Sequence, residues 1–305
     1  MRVLQIERPM KSNPSILSLA IGLLALSALF FIIERLVGRG RTQPILRKGL
    51  IVDTCFWFFT PLVTKWFSRA VLILPVGILV WLGGATLDDL KHGAYRGFGP
   101  LSRQPIWLQV IEIYLIADLI GYWSHRLFHR RGWWPFHAVH HSSEDLDWLS
   151  SVRVHPVNDL VSRLCQVIPL LLLGFNFVAT LSAAPFFTLY AIFIHANVDW
   201  DFGPLRSIIA TPVFHRWHHS KDREAWDKNF AGFFVFWDRI FGTYYMPAGQ
   251  MPRNFGIPEE FPKDFLGQLT RPFAQWRRKR KDSQASPKIE SVESKTGRPI
   301  QADLG

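Results

Sequence analysis

The sequence predicts an all-α, polytopic membrane protein, and three features carry that reading. Charged residues make up only 19% of the chain, against about 25% in an ordinary soluble domain. The apolar residues gather in long uncharged runs, and 49% of the 305 residues are hydrophobic. Ten of the eleven histidines fall between residues 125 and 219. A disordered chain, a secreted disulfide scaffold and a typical cytosolic enzyme all fit this composition poorly.

The first element is the uncharged run 15–33, close to the roughly 20 residues that a helix needs to cross a hydrocarbon core. Arg2, Arg8 and Lys11 precede it like the basic region of a signal peptide. The run is longer than a usual signal core, however, and enters Glu34-Arg35 without a small-residue cleavage pattern. A retained spanning helix is expected. Residues 49–64 are ambiguous between spanning and re-entrant, because Asp53 and Pro61 interrupt them. Residues 70–87 form a second uncharged run, and residues 105–122 a third, broken by Glu112 and Asp118. Residues 164–198 contain no Lys, Arg, Asp or Glu, too long for one span at about 1.5 Å per residue. Gly174, Asn176 and Pro185 break that run, so a helical hairpin over about 159–198 is expected.

These elements divide the chain into an N-terminal transmembrane region (1–104), a central histidine-bearing region (105–246), a basic amphipathic segment (247–281) and a polar tail (282–305) expected to be disordered. The basic residues Arg126, Arg130, Arg131 and Arg153, with the run 277–281, place the second half on the cytosolic side by the positive-inside rule. The membrane is then a bacterial inner membrane or the endoplasmic reticulum. A net charge of +11 beside membrane segments points to anionic lipid headgroups. Nucleic acid is not an expected partner, since no recognition module accompanies the charge. Cys55 and Cys165 sit in apolar segments without CxxC spacing, so neither a disulfide framework nor a zinc ribbon is expected.

Eight histidines form three clusters: His125 and His129; His137, His140 and His141; His215, His218 and His219. Spacings of i, i+3 and i+4 put side chains on one helix face, which is how a helix presents ligands to a metal. A single such pair is often coincidental. Three within 95 residues, each imidazole otherwise costing about 1–3 kcal/mol if buried unpartnered, point to shared metal coordination. Eight to ten nitrogen ligands exceed what one ion accepts, so a dinuclear site is expected. Imidazole suits iron, zinc, copper and nickel alike. The absence of HExxH disfavours a metalloprotease, and triplets on one face do not fit bis-histidine haem. Ligand count and membrane setting favour iron that activates dioxygen.

HRLFH, HAVHH and HRWHH in this order, with Asp118 before the first, SSEDLDWLSSVRVHP after the second, and NFAG and WDRIFGT after the third, resemble the fatty acid hydroxylase superfamily, also called the sterol desaturase family. The resemblance covers about residues 105–246. It implies an integral membrane di-iron oxygenase that hydroxylates or desaturates fatty acyl, sterol, ether or related isoprenoid lipids, with a cytosolic cap of histidine-bearing helices. It also implies that the eight clustered histidines are metal ligands, that His195 in HANVDW is an additional one, and that His155 in RVHP completes the set. His92, in a Lys-His-Gly loop, reads as solvated.

Metal-bound histidines usually donate their second N–H to a carboxylate or carbonyl. Asp118, nearly two turns before His125, is the leading candidate for that role, with Asp238, Asp199 and Asp201 behind it. Glu144 and Asp145 belong equally well to a solvated loop, and Asn229 matches the family's Asn-x-x-Gly motif as a possible partner of a ligand. The aromatic stretch 230–245 reads first as a membrane-interface helix. With two irons and dioxygen as co-substrate, electrons must come from a separate partner, because no GxGxxG or Walker sequence is present. A ferredoxin, a cytochrome b5-like protein or a pterin is the expected donor. The alternatives are a polyhistidine metal transporter and a non-catalytic lipid-binding member that keeps its metals for folding.

Overall fold

A computed structural model describes residues 15–37, 43–83, 97–130 and 132–285, together with Thr86 and Asp88. His92, the N-terminal basic residues and the last twenty residues lie outside the described ones. Helices dominate, and the described residues contain no strand, only the isolated bridges Ile209–Phe234 and Ser220–Phe255.

Helix α1 (Ile16–Phe31) begins at Ser15, whose hydroxyl accepts from the Ser18 N–H while the Ser18 side chain accepts from the Ser15 N–H. This reciprocal cap satisfies two donors that a helix start leaves orphaned. The helix runs into a π-helical turn, Ile32–Val37. There the Glu34 carboxylate accepts the backbone N–H groups of Trp148 (3.2 Å) and Asn197 (2.9 Å), tying α1 to the histidine-bearing region. Residues 16–36 and 106–128 are the two described helices long and apolar enough to cross a membrane.

Helix α2 (Leu50–Trp81) is one continuous element of 32 residues. This corrects the sequence reading, which separated residues 49–64 from 70–87. Lys65 and Arg69 interrupt the hydropathy but not the backbone bonding, and the helix is about 48 Å long, more than the roughly 30 Å of a hydrocarbon core. Gly49 starts it in the left-handed region (φ 80°), and a Cβ there would collide with the Arg153 guanidinium. That close approach forms part of a buried ion network. Asp53, fully buried, forms an ion pair with Arg47 Nη2 (2.7 Å) and accepts from Arg153 Nε (2.5 Å), while Arg47 also binds Asp147 through two bonds of 2.5 Å. Arg153 is thereby an internal cross-link rather than a free surface cation.

Helix α3 (Ile106–Phe128) carries His125 near its end, with His129 as its C-cap residue. Helix α4 (Trp134–His141) follows, with Pro135 in its first turn, where a missing N–H costs nothing. Helices α5 (Pro156–Leu172) and α6 (Phe177–Ile194) are joined by residues 173–176. Helix α5 packs on α2 and α3, and α6 packs on α3, around Ile113, Ala117, Leu170 and Phe175. Helix α7 (Pro212–His218) is capped by Thr211, whose hydroxyl accepts from the Phe214 N–H. A short helix α8 (Phe236–Ile240) follows.

The last helix, α9 (Phe265–Ala285), reaches four residues into the segment expected to be an unstructured tail. Part of its apolar face is packed against the bundle. Phe265 packs edge-on against Phe56 (5.0 Å) and Phe59 (5.2 Å), and Phe273 against Phe136 (5.4 Å). The C-terminal helix thus braces α2 and α4 where the histidines converge.

Candidate metal centre

The helix ends bring nine histidines together in two groups. His125, His129, His137, His141 and His218 form one; His140, His195, His215 and His219 form the other; within each group the ligand nitrogens all lie within 4.8 Å of one another. The i, i+3 and i+4 spacings split between the groups. Helix α4 sends His137 and His141 to one and His140 to the other, and α7 with its C-cap sends His218 to one and His215 and His219 to the other.

What decides the chemistry is where the second ring nitrogens go. Nδ1 of His125 donates to the Phe230 carbonyl (2.9 Å), that of His137 to Asn158 Oδ1 (2.7 Å), and that of His218 to the Lys228 carbonyl (2.7 Å). In the other group His140 Nδ1 donates to the Arg153 carbonyl (3.3 Å) and His195 Nδ1 to the Ala191 carbonyl (2.6 Å). Carbonyl oxygens only accept, so these rings carry their proton on Nδ1 and point a bare Nε2 lone pair inward. Yet His125 and His137 face each other Nε2 to Nε2 at 3.1 Å, and His140 faces His195 the same way at 3.1 Å. With no proton between them, these pairs repel unless a cation lies between the lone pairs. Adding a proton instead is disfavoured, because burial, reinforced by neighbouring imidazoles, holds His137 and His140 well below the ordinary histidine range. Burial likewise depresses His129, His141, His215, His218 and His219. Nε2 of His129 and of His218 is buried without any hydrogen-bond partner. The donor set therefore fits metal binding in both groups.

His155 does not join either group. It caps α5, its Nδ1 accepting from the Val157 N–H (3.1 Å) and its Nε2 donating to the Leu269 carbonyl (3.1 Å). Both nitrogens are used, so the ligand role expected of it is replaced by a capping one. This segment touches the two groups instead through the Arg153 carbonyl, which accepts from His140, and through Asn158, three positions beyond His155, which accepts from His137.

Asp118 is close to the site, but the contact differs from the one expected. Its carboxylate accepts the backbone N–H groups of Phe233 (2.9 Å) and Phe234 (2.8 Å) rather than an imidazole. Asp238 accepts from Phe230 N–H (2.8 Å), Ala231 N–H (2.8 Å) and the Thr243 hydroxyl (2.6 Å); burial raises its pKa. Asn229, left-handed at φ 57°, donates to the carbonyls of Phe214 (2.9 Å) and Tyr245 (2.6 Å) and accepts from the Tyr245 N–H. Together the three staple the loop 227–234. That loop in turn presents the Phe230 and Lys228 carbonyls to His125 and His218, and Asp227 Oδ1 to His129 Nδ1 (3.0 Å).

Asp201 bonds Arg206 and the Gly203 N–H, Glu144 faces Lys48, Asp145 accepts from the Lys48 N–H, and Asp199 belongs to neither histidine group. The aromatic stretch 230–245 is not one interface helix. Only Phe236–Ile240 is helical, and Phe230 is buried against the rings of His125, His129 and His218 at 5.5, 4.9 and 5.7 Å. The fixed loop, not hydropathy, sets those positions. Sequence reasoning missed Asp227 and Asn158, although both are short polar residues beside motifs it had singled out.

A chamber of about 260 Å³ opens onto His125, His137, His140, His195 and His215, and therefore onto both groups. It adjoins a mainly apolar groove of about 430 Å³ between α1, α2, α5 and α6. A second cavity, about 270 Å³, reaches His129, His141 and His218 between Trp134 and Trp226.

The fatty acid hydroxylase family model matches residues 110–243, the span that holds all nine grouped histidines and the three staples Asp118, Asn229 and Asp238. Over those residues the chain is similar to fatty acid hydroxylase domains. The chain is 36% identical over 196 residues to the ornithine lipid hydroxylase OlsE of Rhizobium tropici, covering 64% of this chain and 59% of that protein. It is 37% identical over 132 residues to human alkylglycerol monooxygenase, covering 43% of this chain and 29% of that protein. A very-long-chain aldehyde decarbonylase of Oryza sativa subsp. indica is 28% identical over 226 residues, 67% of this chain and 32% of that protein. The chain thus spans about three fifths of the bacterial relative and under a third of the human one. No solved structure matches.

Within this segment the support of the histidines is itself testable. Replacing Asn158 with leucine should leave His137 unoriented and lower metal affinity about 10- to 100-fold, read by chelator competition on folded protein. An unchanged affinity would make the Asn158 contact incidental.

Proposed function

We propose that this chain is an integral membrane di-iron oxygenase that hydroxylates or desaturates a lipid. The facing Nε2 lone pairs, one pair in each group and both beside the same apolar chamber, carry the proposal. The five-histidine group would hold one iron and the four-histidine group the other. When bound, iron supplies the oxidising power, with dioxygen, to break an unactivated C–H bond and leave an alcohol or an alkene. The residues present do the rest. Groove and chamber admit an alkyl chain and exclude water. Asp118, Asp238 and Asn229 hold the loop whose carbonyls keep His125 and His218 as Nδ1–H tautomers, so that their Nε2 lone pairs stay available.

The relatives act, by name, on an ornithine lipid, an alkylglycerol and a long-chain aldehyde, which supports a lipid substrate without choosing one. Electrons come from a separate donor, a ferredoxin, a cytochrome b5-like protein or a pterin. The cavity between Trp134 and Trp226 is the side on which they enter, since Trp134 packs on His129 (5.2 Å) and His141 (5.4 Å). The bundle is multi-pass, with α1, α3 and the α5–α6 hairpin in the membrane and the histidine cap in the cytosol, on the side of Arg126 and Arg130. The basic end of α9 meets anionic headgroups there.

Elemental analysis of detergent-purified protein, with a screen of lipid extracts from cells with and without the gene, tests this. About two irons per chain and an oxygenated or newly unsaturated lipid are expected. Well-folded protein without bound metal would overturn the reading, and metal flux across proteoliposomes without oxygen consumption would replace it with a transporter.

A further inference from the structure

Helix α5 lays a polar stripe along the cavity. Asp159, Ser162, Arg163 and Gln166, at i, i+3, i+4 and i+7, share one helix face and all line the groove, and Ser162 and Gln166 also line the chamber. The surrounding wall is apolar: Val154, Phe187 and Ala191 border both spaces. Polar groups in a membrane hairpin are costly unless partnered, and Ser162 has a partner, accepting from Asn158 Nδ2 at 3.2 Å. Gln166 has none: no residue among the described ones hydrogen-bonds its amide, which stays open to the cavity. Its Nε2 lies 3.2 Å from where a Cβ on Gly121 would stand, and Gly121 is one helical turn, about 6 Å, from His125. At the outer end, Arg163 engages both oxygens of Asp159 through Nε (2.9 and 2.8 Å), leaving its terminal nitrogens without a partner among the described residues and half its side chain exposed.

We infer that this stripe is a recognition track for the polar end of a lipid, with Gln166 reading an oxygen close to the carbon that reacts and Arg163 the headgroup beyond. The substrate is then a polar lipid oxidised near its head, not a hydrocarbon or an acyl chain oxidised in mid-chain. The inference rests on the oxygenase reading for the word substrate, while the track itself is a binding site. An amide or hydroxyl suits the glutamine best, since its side chain both donates and accepts.

Binding to the full-length, metal-loaded protein in detergent tests the track through tryptophan fluorescence, since Trp57 lines the groove. The probes are N-palmitoylglycine and hexadecane. Wild type should bind N-palmitoylglycine at least about tenfold more tightly, and Gln166→Leu should lose about tenfold for that probe alone, with metal content unchanged. Should Gln166→Leu misfold, Arg163→Met carries the same expectation. Equal affinity of the two probes for wild type, or variants that bind N-palmitoylglycine as wild type does, would overturn the track. If the preference holds but no lipid is oxidised, the oxygenase reading falls and the track remains.

Discussion

Replacing His140 with alanine is expected to cut the metal content from about two ions per chain to about one and to abolish turnover, with membrane insertion unchanged. His140 belongs to the smaller group, so its loss leaves His195, His215 and His219. It also removes one of the two lone pairs that face each other at 3.1 Å. Three imidazoles still make a site, but a weaker one. Losing a group that merely orients a ligand typically costs 10- to 100-fold in affinity or activity, so loss of a ligand should cost at least ~100-fold. His218→Ala is the informative comparison, because its group falls only from five to four. Activity should drop while metal content falls less than in His140→Ala. Elemental analysis and oxygen uptake on the same preparations read both effects. A His140→Ala protein with full metal occupancy and turnover would remove that residue from the centre.

The second large effect is structural. Asp53→Ala should destabilise the folded protein by about 3–5 kcal/mol, the usual cost of deleting one partner of a buried ion pair. Asp53 and Arg47 have side chains with no exposed area, and Arg153 is nearly as buried. Removing the carboxylate leaves Arg153 with only weak neutral contacts and Arg47 with Asp147 and the Lys48 carbonyl. Because the Arg153 carbonyl also receives His140 Nδ1–H, metal affinity should fall with stability. Thermal unfolding in detergent measures the first and chelator competition the second. The double replacement Asp53→Leu with Arg153→Met should recover much of the stability, since an apolar pair of similar volume carries no desolvation penalty. A double variant no better than Asp53→Ala would show that shape, rather than charge, holds α2 to the histidine cap.

Local spacing made the histidine clusters legible because an α-helix repeats every 3.6 residues, so HxxxH and HxxHH are already statements about one face. Composition made the membrane setting legible for a similar reason, since hydropathy sums over neighbours in sequence. Partners far apart in the chain were not readable. Asp118 pointed to the site, but that it holds Phe233 and Phe234 instead of a histidine depends on a loop 115 residues away. His155 drew attention as a histidine in RVHP, and only the packing of α9 against α4 gives its Nε2 an acceptor in Leu269.

The sequence alone determined that helices carry the chain and that eight histidines between residues 125 and 219 cluster at spacings suited to a metal, a set to which the family resemblance adds His155 and His195. Those properties follow from residue type and short spacing. The tertiary structure decided how nine of them divide into five and four, which oxygen holds the second ring nitrogen of six of those nine, and which cavity each group faces. Those depend on where helix ends meet and which carbonyls a stapled loop presents, and no local periodicity encodes that.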